Sequence, residues 1–256
     1  MHLLLVAIKY GIILYLGTIL IQLFFYSLFL IICLRFRMPL LLVFQSSQQN
    51  MRKKIQSWLK SFRAVSVRDE ASQNICEKQL KTRASLVVDP TLLLDKNEYE
   101  KLFEGNIPTE QYCVLYHLAG RRRVDFKTIK KFCKDNSLKL IVIPVNDVGI
   151  SNAVYPRIGN WLKLIANASF IITNSFHGTV FAMLFQRKFV TILESNTLSN
   201  RNIRITSLLS SFHSTNRIWN YNSSLQEIYK TEGFSFNEND KLFIQHSLNY
   251  LKENLQ

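Results

Sequence analysis

Hydrophobic and polar positions divide the chain near residue 50 into an opening of one kind and a body of another. From Tyr10 to Leu34 no charged residue occurs; as a helix that run would extend about 37 Å at ~1.5 Å per residue, against a hydrocarbon core ~30 Å thick. The opening therefore reads as a tilted membrane-spanning helix. A buried core helix, a pair of strands, or an opening unrelated to the rest through truncation or a frame shift are the alternatives. A cleaved signal peptide fits less well, because the run is long and no small-x-small site follows. Basic residues gather after the run, at Arg35, Arg37, Arg52, Lys53 and Lys54, against Lys9 before it. An inserted segment would thus leave the body in the cytoplasm, anchored at the inner face of the membrane, with Arg52, Lys53 and Lys54 against anionic headgroups. Gln45 to Asn50 reads as a polar linker.

Beyond the linker, apolar runs of strand length alternate with amphipathic stretches of helix length. Ala64–Val67 and Leu86–Val88 are short strands flanking a helical Glu70–Lys81. The pattern then strengthens: Tyr112–Leu118 as strand, Phe126–Asn136 as helix, Leu138–Pro144 as strand, Ile158–Ala166 as helix, Ser169–Thr173 as strand, His177–Phe185 as helix and Phe189–Leu193 as strand. Helices over Asn202–Phe212 and Asn237–Leu255 complete the series. Such alternation predicts a parallel sheet covered on both faces by right-handed crossovers, with ligands bound beyond the carboxyl ends of the strands. The polar stretch 95–111, with Gly105 and Pro108, reads as a linker between a first α/β unit and a second.

Composition narrows the functional classes. Hydrophobic residues are 48% and charged residues 20% of 256, which excludes wholesale disorder and low-complexity fibres. Lys and Arg total 32 against 18 Asp and Glu, a formal +14; the charge is dispersed and no nucleic-acid-binding module accompanies it, so nucleic acid is not an expected partner. Cys33, Cys76, Cys113 and Cys133 follow no metal or disulfide spacing, and neither a zinc site nor a disulfide framework is expected.

Candidate chemistry centres on one strand-to-helix turn. The buried strand before Asn174-Ser175-Phe176-His177-Gly178-Thr179 leads straight into an apolar helix, whose first turn offers N–H groups and a partial positive charge to a phosphate or carboxylate. Gly178 would let an anion approach, and His177 would donate a proton near neutral pH. A capping or packing histidine is the alternative at this position. Gly120-Arg121-Arg122-Arg123 reads as a solvated basic turn or an attractor of anions, His117 as a core histidine, and Arg201 and Arg204 as either surface or cleft residues.

Three segments together carry a family resemblance. Thr173–Ile192 (TNSFHGTVFAMLFQRKFVTI), preceded by Ile158–Ile172 (IGNWLKLIANASFII), resembles the signature of the polysaccharide pyruvyl transferase family, in a Ser-Phe-His-Gly subgroup. Val65–Glu70 (VSVRDE) with Val88–Leu93 (VDPTLL), and Asn200–Leu209 (NRNIRITSLL), are similar to its flanking motifs, in the same order.

The resemblance implies two Rossmann-like domains arranged as in GT-B glycosyltransferases, with the active site between them. It also implies transfer of a pyruvate ketal from phosphoenolpyruvate to saccharide hydroxyls, free or in a lipid-linked oligosaccharide, in surface polysaccharide synthesis. By the same resemblance His177 and Arg68 are catalytic and Asn174, Ser175, Gly178 and Thr179 bind substrate, with no metal or cofactor required. Many members carry an arginine where this chain has Ser175. The expected organisation is an apolar segment and linker over 1–50, a remnant of the N-terminal Rossmann-like domain over 51–94, a linker over 95–111 and a C-terminal Rossmann-like domain over 112–256. A nucleotide-sugar-dependent glycosyltransferase and a truncated, non-catalytic remnant are the alternatives.

Overall fold

Tyr112, Val114 and Tyr116 face one side of a sheet while Cys113 and Leu115 face the other, and both sides are buried, which is why this strand reads as an uninterrupted apolar run. The neighbouring strands divide in the same way: Ile171 and Phe189 join the first side, and Phe170, Ile172, Val190 and Ile192 the second. The computed structural model describes residues 49–118, 124–144, 153–193, 200–221 and 223–255. The apolar opening with Cys33 and the basic turn of Gly120 to Arg123 fall outside these residues. Among the described residues no helix is long and apolar enough to cross a membrane.

The first unit runs α1 (Gln49–Leu59), β1 (Ser66–Val67), α2 (Glu70–Asn74) with a following π turn (Ile75–Gln79), and β2 (Ser85–Leu86), parallel to β1. Ile55, Leu59, Val65, Val67, Cys76, Leu80 and Ala84 close a small core of its own. Asp69 starts α2, accepting the Ser72 N–H at 2.7 Å, so the aspartate after Arg68 serves as a helix cap.

A 3-10 turn (Pro90–Leu93) and α3 (Lys96–Glu100) lead to the second unit. The stretch read as a linker therefore carries a short helix, and Tyr99 within it is buried. Its ring meets Phe181 edge-on at 5.0 Å and its hydroxyl donates to the Thr91 carbonyl at 2.9 Å. Within the helix this one aromatic is the buried residue, and Phe103 and Ile107 beyond it pack on the same core; so few and so widely spaced apolar residues carry no periodicity.

The second unit holds β3 (Tyr112–His117), α4 (Phe126–Asp135), β4 (Lys139–Pro144), α5 (Ile158–Asn167), β5 (Phe170–Thr173), α6 (Phe176–Leu184), β6 (Phe189–Ile192), α7 (Asn200–Ser211), β7 (Ile218–Trp219), α8 (Leu225–Lys230) and α9 (Glu238–Leu255). Its five strands pair in the order β4-β3-β5-β6-β7, all parallel. The order reverses direction between β3 and β5. In open α/β sheets this switch point opens the crevice in which ligands bind.

The last helix turns back onto the first unit. Ser247 on α9 is buried and accepts the Val88 N–H at 3.0 Å, while Arg63 donates to the Glu253 carbonyl at 3.3 Å. Val88 immediately precedes Asp89, so α9 fixes the approach to that residue. Ser247→Ala orphans a buried N–H, and the expected cost is about 1–3 kcal/mol, read as a lower midpoint in urea unfolding with an unchanged slope. An unchanged midpoint would show that the contact contributes nothing.

Candidate active site

The turn at the switch point is shaped by short polar side chains that tie β3 to β5. The Thr173 hydroxyl donates to the Tyr116 carbonyl at 2.7 Å and accepts the Ser175 N–H at 3.0 Å. Asn174 Oδ1 accepts the Leu118 N–H at 2.7 Å. Ser175 caps α6, its Oγ accepting the Gly178 N–H at 3.2 Å, and it shares a hydrogen bond with the Tyr116 phenol. Thr179, fully buried, donates to the Ser175 carbonyl at 3.0 Å and lies 2.9 Å from the Thr191 hydroxyl on β6. Asn174, Ser175, Gly178 and Thr179, expected as substrate ligands, are thus engaged in holding the turn.

Glycine at 178 has a steric cause within the fold. A Cβ there would lie 2.5 Å from Thr173 Oγ1 and 2.9 Å from Tyr116 Cδ1, so the close approach that demands glycine is that of the helix to the strands beneath it. This packing alone is sufficient reason for glycine at the position.

Arg68, Asp89, Phe176, His177 and Arg204 come together above that turn. Arg68 Nη1 forms a buried ion pair with Asp89 Oδ2, the two side chains being 6% and 3% exposed. Asp89 Oδ1 accepts the Thr91 N–H at 3.1 Å and the Thr91 hydroxyl at 2.7 Å, which caps the 3-10 turn and satisfies the carboxylate. The Arg68 guanidinium carbon sits 4.5 Å from the centroid of the Phe176 ring, and that of Arg204, from α7, sits 4.7 Å from the same centroid. Such contacts contribute about 0.5–2 kcal/mol each when desolvated. Phe176 meets the His177 ring edge-on at 5.4 Å.

Electrostatics follow from this crowding. Burial alone would raise the Asp89 pKa, but the Arg68 cation, His177 and the Thr91 hydrogen bonds together outweigh it and bring it down to about 2. Burial lowers the His177 pKa; Arg68 and Arg204 lower it further against the opposing pull of Asp89, and it falls to about 4. The ring expected to give up a proton near neutrality is therefore neutral at pH 7. An anion placed beside the two guanidiniums would oppose their effect and raise it.

Arg68 and His177, predicted from different parts of the sequence, thus converge through Asp89 and Phe176. Asp89 and Phe176 lie within the motifs with no expected role, and the sequence leaves Arg204 equally open to the surface or the cleft. Its register was the available signal: it shares a helical face with Ile205, Leu208 and Leu209, all buried, and is itself 5% exposed. His117 is buried at the end of β3, whereas the side chain of Arg201 and the arginines 121 to 123 are outside the described parts. Among the described residues no group of His, Cys, Asp and Glu is placed to hold a metal. Cys76, Cys113 and Cys133 are buried thiols.

The sequence profile described as polysaccharide pyruvyl transferase matches residues 7–196, more than half the chain and including most of its apolar opening. No curated protein sequence matches. Among solved structures, a variant of the wall teichoic acid polymerase TagF is similar at 10% identity with a TM-score of 0.41, over 90% of this chain and 67% of that one.

Two outcomes are expected. In an NMR titration without ligand, the His177 ring protons shift with a midpoint near pH 4. Since the unfolded histidine titrates near 6.5, stability is complete above that value and is lost as pH falls from 6.5 toward 4; His177→Gln abolishes this component, and an unaltered pH profile would contradict the placement. Gly178→Ala forces the helix off the strands and costs about 1–3 kcal/mol, measured by urea unfolding.

Proposed function

Because the chain belongs to the polysaccharide pyruvyl transferase family, we propose that it transfers a pyruvate ketal from phosphoenolpyruvate to a saccharide acceptor, with the donor held between Arg68 and His177. The observation that carries this reading is the convergence of a guanidinium from the first unit and an imidazole from the second at the sheet's switch point. Phosphoenolpyruvate bears a phosphate and a carboxylate, and a guanidinium binds either through two parallel hydrogen bonds.

The chemistry requires a proton at the donor's methylene carbon and a hydroxyl oxygen at the adjacent carbon. The C=C electron pair takes the proton, becoming the methyl C–H bond, as the first acceptor hydroxyl forms its C–O bond and gives up its own proton. The bond from that carbon to the phosphate oxygen then breaks, phosphate leaves with the electron pair, and the second hydroxyl closes the ketal. Its proton leaves with the phosphate or to solvent. Neutral His177 takes up a proton once the anionic donor offsets Arg68 and Arg204; Asp89 stays ionised throughout and favours the imidazolium. Donors held in place by burial, as Arg68 is, would need little reorganisation to stabilise a departing phosphate. The acceptor is read as a saccharide or lipid-linked oligosaccharide at the cytoplasmic face of a membrane.

Purified protein with phosphoenolpyruvate and candidate oligosaccharides should release inorganic phosphate and yield a product heavier by the ketal. His177→Ala is expected to slow release by about 10²–10⁴-fold, and Arg68→Lys to raise the donor KM. Calorimetric titration that finds nucleotide sugars bound and phosphoenolpyruvate ignored would replace this reading with a glycosyltransferase. No binding of either, with His177→Ala indistinguishable from the parent, would leave a non-catalytic protein.

A further inference from the structure

Basic residues are shared unequally between the two units. From Gln49 to Leu86, the first unit, nine Lys and Arg stand against three Asp and Glu, whereas from Val87 onward there are twenty against fifteen. The excess in the first unit also lies outward. Arg68 is taken up by its buried ion pair and Asp69 by its helix cap, while Lys53, Lys60, Lys78 and Lys81 are exposed, as are Glu70 and Glu77. Those four lysines enter no ion pair among the described residues.

Contacts within the unit bring these charges onto one side. Ile55 and Leu59 point into the small core, which turns Lys53 and Lys60 outward; they stand three before and four after Gln56 on one helix face. Gln56 Nε2 donates to the Gln79 carbonyl at 3.1 Å, so α1 abuts the π turn that carries Lys78. The Thr82 N–H returns to the Cys76 carbonyl at 2.9 Å and closes that turn around Lys81. Trp58, also on α1, is 39% exposed. An indole has an apolar body and one polar N–H, and it settles where lipid meets water.

We propose that the outer face of the first unit, formed by Lys53, Lys60, Lys78 and Lys81 with Trp58, docks on the anionic headgroups of a lipid bilayer. Lysines match the negative charge of such a surface and the tryptophan matches the apolar layer under it. A dissolved polyanion would engage the lysines and leave the indole in water. The purpose of docking rests on the reading of a lipid-linked acceptor: Arg68, carried by the same unit, would be held at the layer where that acceptor lies. The docking itself does not rest on that reading.

Sedimentation of the full chain with vesicles of phosphatidylcholine, alone or mixed with phosphatidylglycerol, tests the face. The parent should bind the mixed vesicles, and bind them less as salt rises. Lys53→Gln, Lys60→Gln and Lys78→Gln combined should weaken binding about a hundredfold, at roughly fivefold per lysine. Trp58→Ala should weaken it severalfold in salt that already screens the lysines. Lys127→Gln, Lys130→Gln and Lys134→Gln combined remove the same charge from exposed positions on α4, and should leave binding nearly unchanged.

Equal binding of the parent to neutral and mixed vesicles overturns the inference, as does a first-unit triple variant that binds like the parent or an α4 triple variant that loses as much. A parent that prefers heparin to the mixed vesicles, and loses it with the first-unit lysines, has a polyanion as its partner and the lipid inference falls. Phosphate release from phosphoenolpyruvate with a soluble oligosaccharide, measured on the same proteins, keeps the two readings apart. Release without vesicle binding ends the docking alone; vesicle binding as expected without release with any acceptor ends the donor reading alone.

Discussion

The buried ion pair between Arg68 and Asp89 is the constraint on which the site depends. Two charges withdrawn from water are costly, and the pair is tolerable because the carboxylate's remaining hydrogen-bonding capacity is met. Thr91 satisfies the second carboxylate oxygen through its N–H and its hydroxyl, and the guanidinium rests on the face of an aromatic ring. The result is an arginine whose long side chain is held at both ends. It leaves the end of β1, is pinned by a turn that begins just after β2, and reaches a helix of the other unit.

The supports of that pair extend through most of the fold. Tyr99 holds the Thr91 carbonyl and meets Phe181 of α6, and Ser247 of α9 holds Val88. Beneath them, Thr173, Asn174 and Ser175 join the ends of β3 and β5 and set where α6 begins. These residues form a frame that positions Phe176 and His177. Burial first, and the neighbouring guanidiniums second, keep the His177 ring neutral, so a negative charge placed beside it would raise its affinity for a proton.

Legibility of this arrangement in the sequence followed physical size. Strands β3 to β6 stood out because burial on both faces makes them continuous apolar runs, and their helices because one face is apolar. β7, of two residues, and α8, of six, are too short to display a period. α3 was lost in a polar stretch because Tyr99 alone does its packing. At the site, the His-Gly turn and the Val-Arg-Asp segment were visible as motifs, and they do meet. What the motifs could not convey was direction: Gly178 faces the sheet, Asp69 caps a helix while Asp89 takes the charge, and Arg204 turns inward with Ile205 and Leu208.

Because α9 fastens both Arg63 and Val88, the residues flanking the first unit's strands, that unit is completed by a helix far along the chain from it. Without α9, the small core around Leu59 and Leu80 lacks its clasp. Loosening α9 would consequently be felt first beside Asp89, some 160 positions upstream in sequence, while the five-stranded sheet kept its shape.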